Sequence, residues 1–226
     1  MGASIKDRVN GVVKRAVHLD EHRAPVLHRE VRYPPGAAPV RIKRCLCFEG
    51  NARFFTGRFK GPDTSPEHRK NLLRGQQPMA AVISCADSRV SPEIIFDQGL
   101  GDLFILRTAG NLVDQLELES IDYAVQHLSV SVVLILGHTH CGAVTTVSGL
   151  KEITPDDGKI ANLLKPAIEN AHHFSQDPIE GAVLANVTRT VSRLNQTEQF
   201  EALVAEKTLL ICGAIYHLEN GSVSFI

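Results

Sequence analysis

Residues 132–138 read VVLILGH, five apolar residues followed by a glycine and a histidine. A run this short and this rich in branched side chains reads as a strand buried on both faces, too brief for an independent helix. Three more runs share the pattern: MAAVISC at 79–85, DLFILR at 102–107 and TLLICGAIY at 208–216. Between them lie segments with helical spacing, ELESIDYAVQHL at 117–128, NLLKPAIENAHHF at 162–174 and AVLANVTRTVSRL at 182–194. Such alternation predicts an α/β fold with a central, mainly parallel β-sheet flanked by helices. After the last run, HLENGSVSF carries Asn220-Gly221, a tight-turn signal that predicts an antiparallel edge strand near the C-terminus.

Upstream, residues 47–75 read as helix, with Phe48, Ala52, Phe54, Phe55 and Phe59 on an apolar stripe, a break at GPDTSP and a resumption at Glu67. Residues 1–46 mix charge with weak helical periodicity and end in the proline-rich YPPGAAPV, which cannot continue a helix. The expected organisation is therefore an N-terminal helical arm over 1–46 and a single α/β domain over 47–226. With 226 residues, 43% of them hydrophobic, the chain is long enough to bury a sizeable core.

The charge balance, 24 Lys+Arg against 25 Asp+Glu, sets up no field that would draw nucleic acid or an acidic membrane, so a small substrate is expected. No apolar run approaches the roughly 20 residues that span a bilayer. The first residues lack the apolar block of a secretory signal, and Asp7, Asp20 and Glu21 argue against a transit peptide. Five cysteines, an odd number without an export signal, point to free thiols or metal ligands in the cytoplasm.

Two of the buried runs end in metal-ligand residues, Cys85 and His138. Sites in open α/β sheets gather beyond the carboxyl ends of strands, so these side chains can meet in space. His138 and Cys141 form H-x-x-C, which aims both at one ion if the chain turns from strand into helix at Gly142. Two thiolates and an imidazole suit Zn²⁺, and three ligands leave a fourth vertex open, the mark of a catalytic zinc that lowers the pKa of bound water to about 7. Cys85 also opens C-A-D-S-R-V, where Asp87 and Arg89 are close enough to form a bidentate pair that keeps the carboxylate ionised beside the metal. Asp87 could accept a hydrogen bond from the zinc-bound solvent or take the open vertex itself.

CADSRV, then GDLFILRTAGN, SIDYAV and GHTHCGAV, in this order, resemble the β-class carbonic anhydrases, and the similarity runs from about Asn51 to GAIYHLENG. The resemblance implies a zinc enzyme that hydrates CO₂ reversibly to bicarbonate and a proton by zinc-bound hydroxide, with Cys85, His138 and Cys141 as metal ligands and Asp87 with Arg89 as an aspartate–arginine dyad. It implies that Gln76 donates a hydrogen bond towards the substrate, that Phe104 and Tyr123 line the pocket, and that Val90 and Arg107 border it. It also implies a homodimer or a dimer of dimers, with the active-site cleft near the subunit interface. Where members commonly read R-N-x-A-N, this chain has Arg107-Thr108-Ala109-Gly110-Asn111, so Ala109 is expected to widen the pocket. The absence of tryptophan leaves the tryptophan-containing effector pocket of some members incomplete. His140, His172 and His173 are candidates for carrying the product proton to buffer. Cys45 and Cys47 lack a matching second pair for another zinc site, and Cys212 reads as core. The rival readings are a carbonyl sulfide or carbon disulfide hydrolase of the same fold and a non-catalytic zinc or thiol redox protein.

Overall fold

A computed structural model describes the backbone of residues 38–226 and the side chains from residue 47 onward. The arm expected over 1–46 lies outside the described residues, except that the first described helix, α1 (Ala38–Phe55), begins within it and continues past residue 47. The N-terminal side of the domain is completed by α2 (Pro66–Leu72), whose first turn is capped by the Ser65 hydroxyl accepting from the His68 amide at 3.1 Å.

The four apolar runs form parallel strands, β1 (Ala80–Cys85), β2 (Leu103–Thr108), β3 (Val132–His138) and β4 (Leu210–Tyr216), each within two residues of its expected start. With β5 (Val223–Phe225) they make one five-stranded sheet in the order β2-β1-β3-β4-β5, and β5 runs antiparallel to β4 at the edge. Every residue of β1 and of β3 is buried, which is why neither shows the polar alternation of a one-sided strand. The Asn220-Gly221 pair does not form a two-residue turn. Tyr216 pairs with Val223, and the intervening loop closes through the His217 amide donating to Ser222 O and the Gly221 amide donating to His217 O, both at 2.8 Å.

Helices cover both faces. One face packs against α4 (Gln115–Leu128), α5 (Gly142–Ser148), α6 (Gly158–Glu169), α7 (Pro178–Asn195) and α8 (Glu198–Ala205), through Ile121, Val144, Leu164, Val187 and Phe200. The other packs against α1 and α3 (Pro92–Ile95), through Cys47, Ile95 and Phe96. Removing a side chain such as Ile83, Leu134 or Ile135 from water contributes about 1.5–3 kcal/mol each. Local signals set the helix starts. At α4 the Asp114 amide donates to Glu117 Oε2 at 3.0 Å, one half of a capping box. At α7 the Asp177 carboxylate accepts from the amides of Ile179 and Glu180, with Pro178 in the first turn.

Gly137, the residue before His138, shows how tightly the top of β3 is packed. A Cβ there would stand 2.7 Å from Val187 Cγ2, 3.1 Å from Ile215 Cδ1 and 3.2 Å from Val183 Cγ1. Gly137→Ala is expected to destabilise the fold by about 1–3 kcal/mol through overpacking, read as a lower denaturant midpoint. An unchanged midpoint would show that the helix α7 side gives way freely.

Among the described residues no helix is long and apolar enough to cross a membrane.

Candidate metal centre

The order β2-β1-β3-β4 has its topological switch point between β1 and β3, where the chain leaves β1 for one side of the sheet and later returns to the other. Crevices at such points, beyond the carboxyl ends of the strands, are the natural ligand sites of open parallel sheets. Cys85 ends β1 and His138 ends β3, and because Ser84 pairs with Leu136 the two emerge side by side. Cys141 follows as the residue capping α5, so the segment does turn from strand into helix after His138.

Sγ of Cys85, a ring nitrogen of His138 and Sγ of Cys141 lie within 4.8 Å of one another, with the two sulfurs 4.0 Å apart. All three residues are buried, at 4%, 0% and 1% exposure. The His138 ring is fixed from behind, where Nδ1 donates to the Thr139 carbonyl at 2.8 Å. Its Nε2 is buried with no hydrogen-bond partner. An unmet nitrogen facing two sulfurs is a donor set for a soft, tetrahedral dication, and Zn²⁺ fits it.

The surroundings favour Cys85, of the two sulfurs, as the thiolate. The Cys141 thiol, the neighbouring His138 ring and the backbone amides of Asp87 and Gly110, the last donating to Cys85 Sγ at 3.3 Å, hold the Cys85 thiol far below its ordinary value against the opposing effect of burial. Cys141 is pushed up instead, first by that neighbouring thiolate and then by burial. Two anionic sulfurs 4.0 Å apart would repel each other, so one stays a thiol until a divalent cation between them lets both ionise. The Gly110 amide is aimed by its own turn. Gly110 has φ +72°, Asn186 of α7 donates to its carbonyl at 2.9 Å, and Thr108 Oγ1 donates to Leu112 O at 2.7 Å.

Asp87 stands at the rim. Arg89 donates to it from Nε at 3.0 Å and from Nη2 at 2.8 Å, and the Arg89 amide adds a third bond at 2.9 Å. This pairing outweighs partial burial and holds the Asp87 carboxyl well below the usual carboxylate range. One of its oxygens is 4.0 Å from His138 Nε2. Arg107 anchors the same stretch, donating to Cys85 O at 3.1 Å and Asp87 O at 2.6 Å. Ala109 opens the turn 109–111 that carries Gly110.

The structure places the other residues singled out by resemblance elsewhere on this chain. Val90 is fully buried in the core on the α1 side of the sheet, while Cys85 and Cys141 belong to the core of the opposite face. Phe104 pairs with Ala81 at the start of β2, and its ring lies 6.3 Å from that of Tyr123, which is 48% exposed. Gln76 precedes β1 and borders a surface cleft with Met79, His127 and Ser129. Six residues of strand separate that end from Cys85, about 17 Å apart along β1. His172 and His173 stack on each other at 3.8 Å in a turn after α6. His140 sits between His138 and Cys141 and meets Glu219. Cys47 is buried, and burial together with Cys212 pushes its thiol up to about 12, so it is inert. Cys212 is half-buried on β4, and the side chain of Cys45 lies outside the described residues. Asn186, Thr139 and Glu219 went unnoticed in the sequence. Asn186 alone left a signal, a polar residue on the apolar face of α7.

Comparison with known proteins agrees with this centre. A family described as carbonic anhydrase matches residues 80–223. The chain is 37% identical over 192 residues to carbonic anhydrase 2 of Mycobacterium tuberculosis, covering 83% of this chain and 92% of that protein. It is 38% identical over 194 residues to a carbonic anhydrase of Mycolicibacterium smegmatis, covering 84% and 94%. The fold matches that of tetrameric β-carbonic anhydrases of Sordaria macrospora with a TM-score of 0.64, at 24% identity over 72% of this chain and 87% of that one. A switch-point site with two sulfurs and a nitrogen, a family match over most of the sheet and relatives aligned nearly end to end converge: the chain belongs to the β-class carbonic anhydrases.

Proposed function

We propose that Cys85, His138 and Cys141 hold the zinc ion of this carbonic anhydrase and that Asp87, oriented by Arg89, directs the reversible hydration of CO₂ to bicarbonate and a proton. The observation that carries the assignment is a His138 ring nitrogen and two sulfurs within 4.8 Å of one another, with Nε2 of that ring buried and unpartnered. When bound, zinc supplies the Lewis acidity that brings a water pKa down to about 7. The protein's own residues do the rest. Asp87 is kept ionised by Arg89 and so presents an acceptor at the rim of the centre, ready to orient the proton of the attacking group. Arg107 pins the backbone of both Cys85 and Asp87, fixing ligand and acceptor relative to each other. Ala109, at the start of the turn that carries Gly110, would leave room for a small neutral molecule where a branched side chain would not.

The same reading gives the chain a partner of its own kind. Gln76, Phe104 and Tyr123 stand at the far end of β1 and β2 from the triad, so within one chain they cannot line its pocket. Leu73, three residues before Gln76 and 85% exposed, adds an apolar side chain to that end. In a homodimer Gln76, Phe104 and Tyr123 of the partner subunit would complete the pocket, with Gln76 stabilising charge on a CO₂ oxygen. The tetrameric assembly of the Sordaria macrospora proteins supports an oligomer, and a dimer of dimers would pair the sites in this way. Residues 47–226 would then form the catalytic domain. Cys47, Cys85 and Cys141, none joined in a disulfide, support a cytoplasmic place of action.

Elemental analysis with stopped-flow CO₂ hydration tests the assignment. The expected result is one zinc per chain, hydration that is lost on chelation and restored by zinc, and much slower turnover of carbonyl sulfide and carbon disulfide. Zinc-loaded, folded protein that hydrates CO₂ no faster than buffer would overturn it.

A further inference from the structure

Two of the three donors sit on one tight connection, His138 at the end of β3 and Cys141 before α5. Only Thr139 and His140 separate them, and His140 has φ +53°, a left-handed conformation that residues with a Cβ adopt at a cost. Something must hold it there. Backbone bonds account for part: the Thr139 amide donates to Tyr216 O at 3.0 Å, and Arg89 Nη2 donates to His140 O at 3.2 Å.

The side chains of both intervening residues converge on a single carboxylate. Thr139 Oγ1 donates to Glu219 Oε2 at 3.0 Å, and His140 Nε2 donates to Glu219 Oε1 at 2.6 Å. Thr139 Oγ1 in turn accepts from the Leu218 amide at 3.0 Å, closing the link from both sides.

Glu219 belongs to the loop between β4 and β5, and that loop is anchored in the core. Buried Asn51 of α1 donates to Gly221 O at 2.9 Å and to Ile95 O at 3.3 Å, and accepts from the Val223 amide at 2.9 Å. Gly221, at φ +83°, lets the loop close over Phe54, whose ring a Cβ would approach to 2.8 Å. The carboxylate is therefore presented from a fixed platform.

We propose that Glu219 is a positioning residue of the metal centre: by bonding both side chains between the two ligands, it holds the turn at 139–140 in the conformation that aims His138 and Cys141 at one ion. An exposed ion pair contributes little by Coulomb attraction, and His140 and Glu219 are 67% and 51% exposed. The role is one of hydrogen-bond geometry, as for outer partners of other metal ligands. It rests on the reading that Cys85, His138 and Cys141 hold zinc.

Full-length Glu219→Ala, Glu219→Gln and Thr139→Val proteins test it through zinc release to excess chelator, followed with a zinc-sensitive dye, and through the visible absorption of the cobalt(II)-substituted proteins. Glu219→Ala and Thr139→Val are expected to release zinc about tenfold faster and to shift the cobalt bands, while Glu219→Gln, which keeps an acceptor, stays within about twofold of the wild type. If Glu219→Ala does not fold, Thr139→Val carries the same prediction from the other side of the bond. Release rates and cobalt spectra equal to those of the wild type in the variants that fold would overturn the proposal, even with a lowered thermal midpoint. A wild type that retains zinc while the variants behave like it removes only the role of Glu219; a wild type that binds no zinc removes the metal assignment as well.

Discussion

Replacing Cys141 with alanine is expected to empty the centre, leaving zinc well below one per chain and CO₂ hydration reduced on the order of a thousandfold or more. Cys141 supplies one of two sulfurs 4.0 Å apart, and its removal leaves one thiol and one imidazole in a buried crevice. Two ligands hold a borderline-soft dication poorly, and deprotonation of Cys85 loses the thiol that stabilises it. The fold should survive, because deleting one buried sulfur leaves a small cavity and the sheet is held elsewhere. Far-UV circular dichroism alongside zinc analysis separates the two effects. Stoichiometric zinc in the folded variant would mean that Cys141 is not a ligand.

The second large effect concerns Asp87. Asp87→Asn is expected to retain zinc and yet lose about a hundredfold in hydration rate, the lower range for removing a positioned proton acceptor. The amide would bring its own N–H donors against Arg89, whose Nε and Nη2 now both donate to the carboxylate, so the side chain must turn away. Cys85 would not follow, because Arg107 grips the carbonyls of Cys85 and Asp87 independently of that carboxylate. The signature is therefore full metal with low turnover. Activity within a few-fold of wild type would leave Asp87 a purely structural partner of Arg89.

Much of this centre was legible before any coordinates. Cys85 and His138 end hydrophobic runs, and strands buried on both faces deliver their last residues to one edge of the sheet, so a convergence could be read from local pattern alone. The bidentate pairing of Asp87 with Arg89 was legible for the same reason, since two residues of separation hardly permit the pair to miss. The helices were less so. α8 lies in TEQFEALVAEK, where a short apolar stripe is diluted by charge, and it emerges only because Phe200 finds a place in the core. The hairpin signal at Asn220-Gly221 pointed to the right fold-back but the wrong turn, because Asn51, far away in sequence, supplies the bonds that hold a longer loop.

The class of fold and the parallel sheet with its antiparallel edge were legible in the chain alone, because hydrophobic period is a property of neighbouring residues, and the same pattern put Cys85 and His138 at strand ends as proposed zinc donors. Packing in three dimensions settles which side of the sheet Val90 joins, that Gln76, Phe104 and Tyr123 stand at the opposite end of the strands from the triad, and that Glu219 meets the turn between His138 and Cys141, 80 residues from Thr139. Those facts depend on strand order, register and direction, and these follow from how whole elements pack together rather than from any residue's local preference.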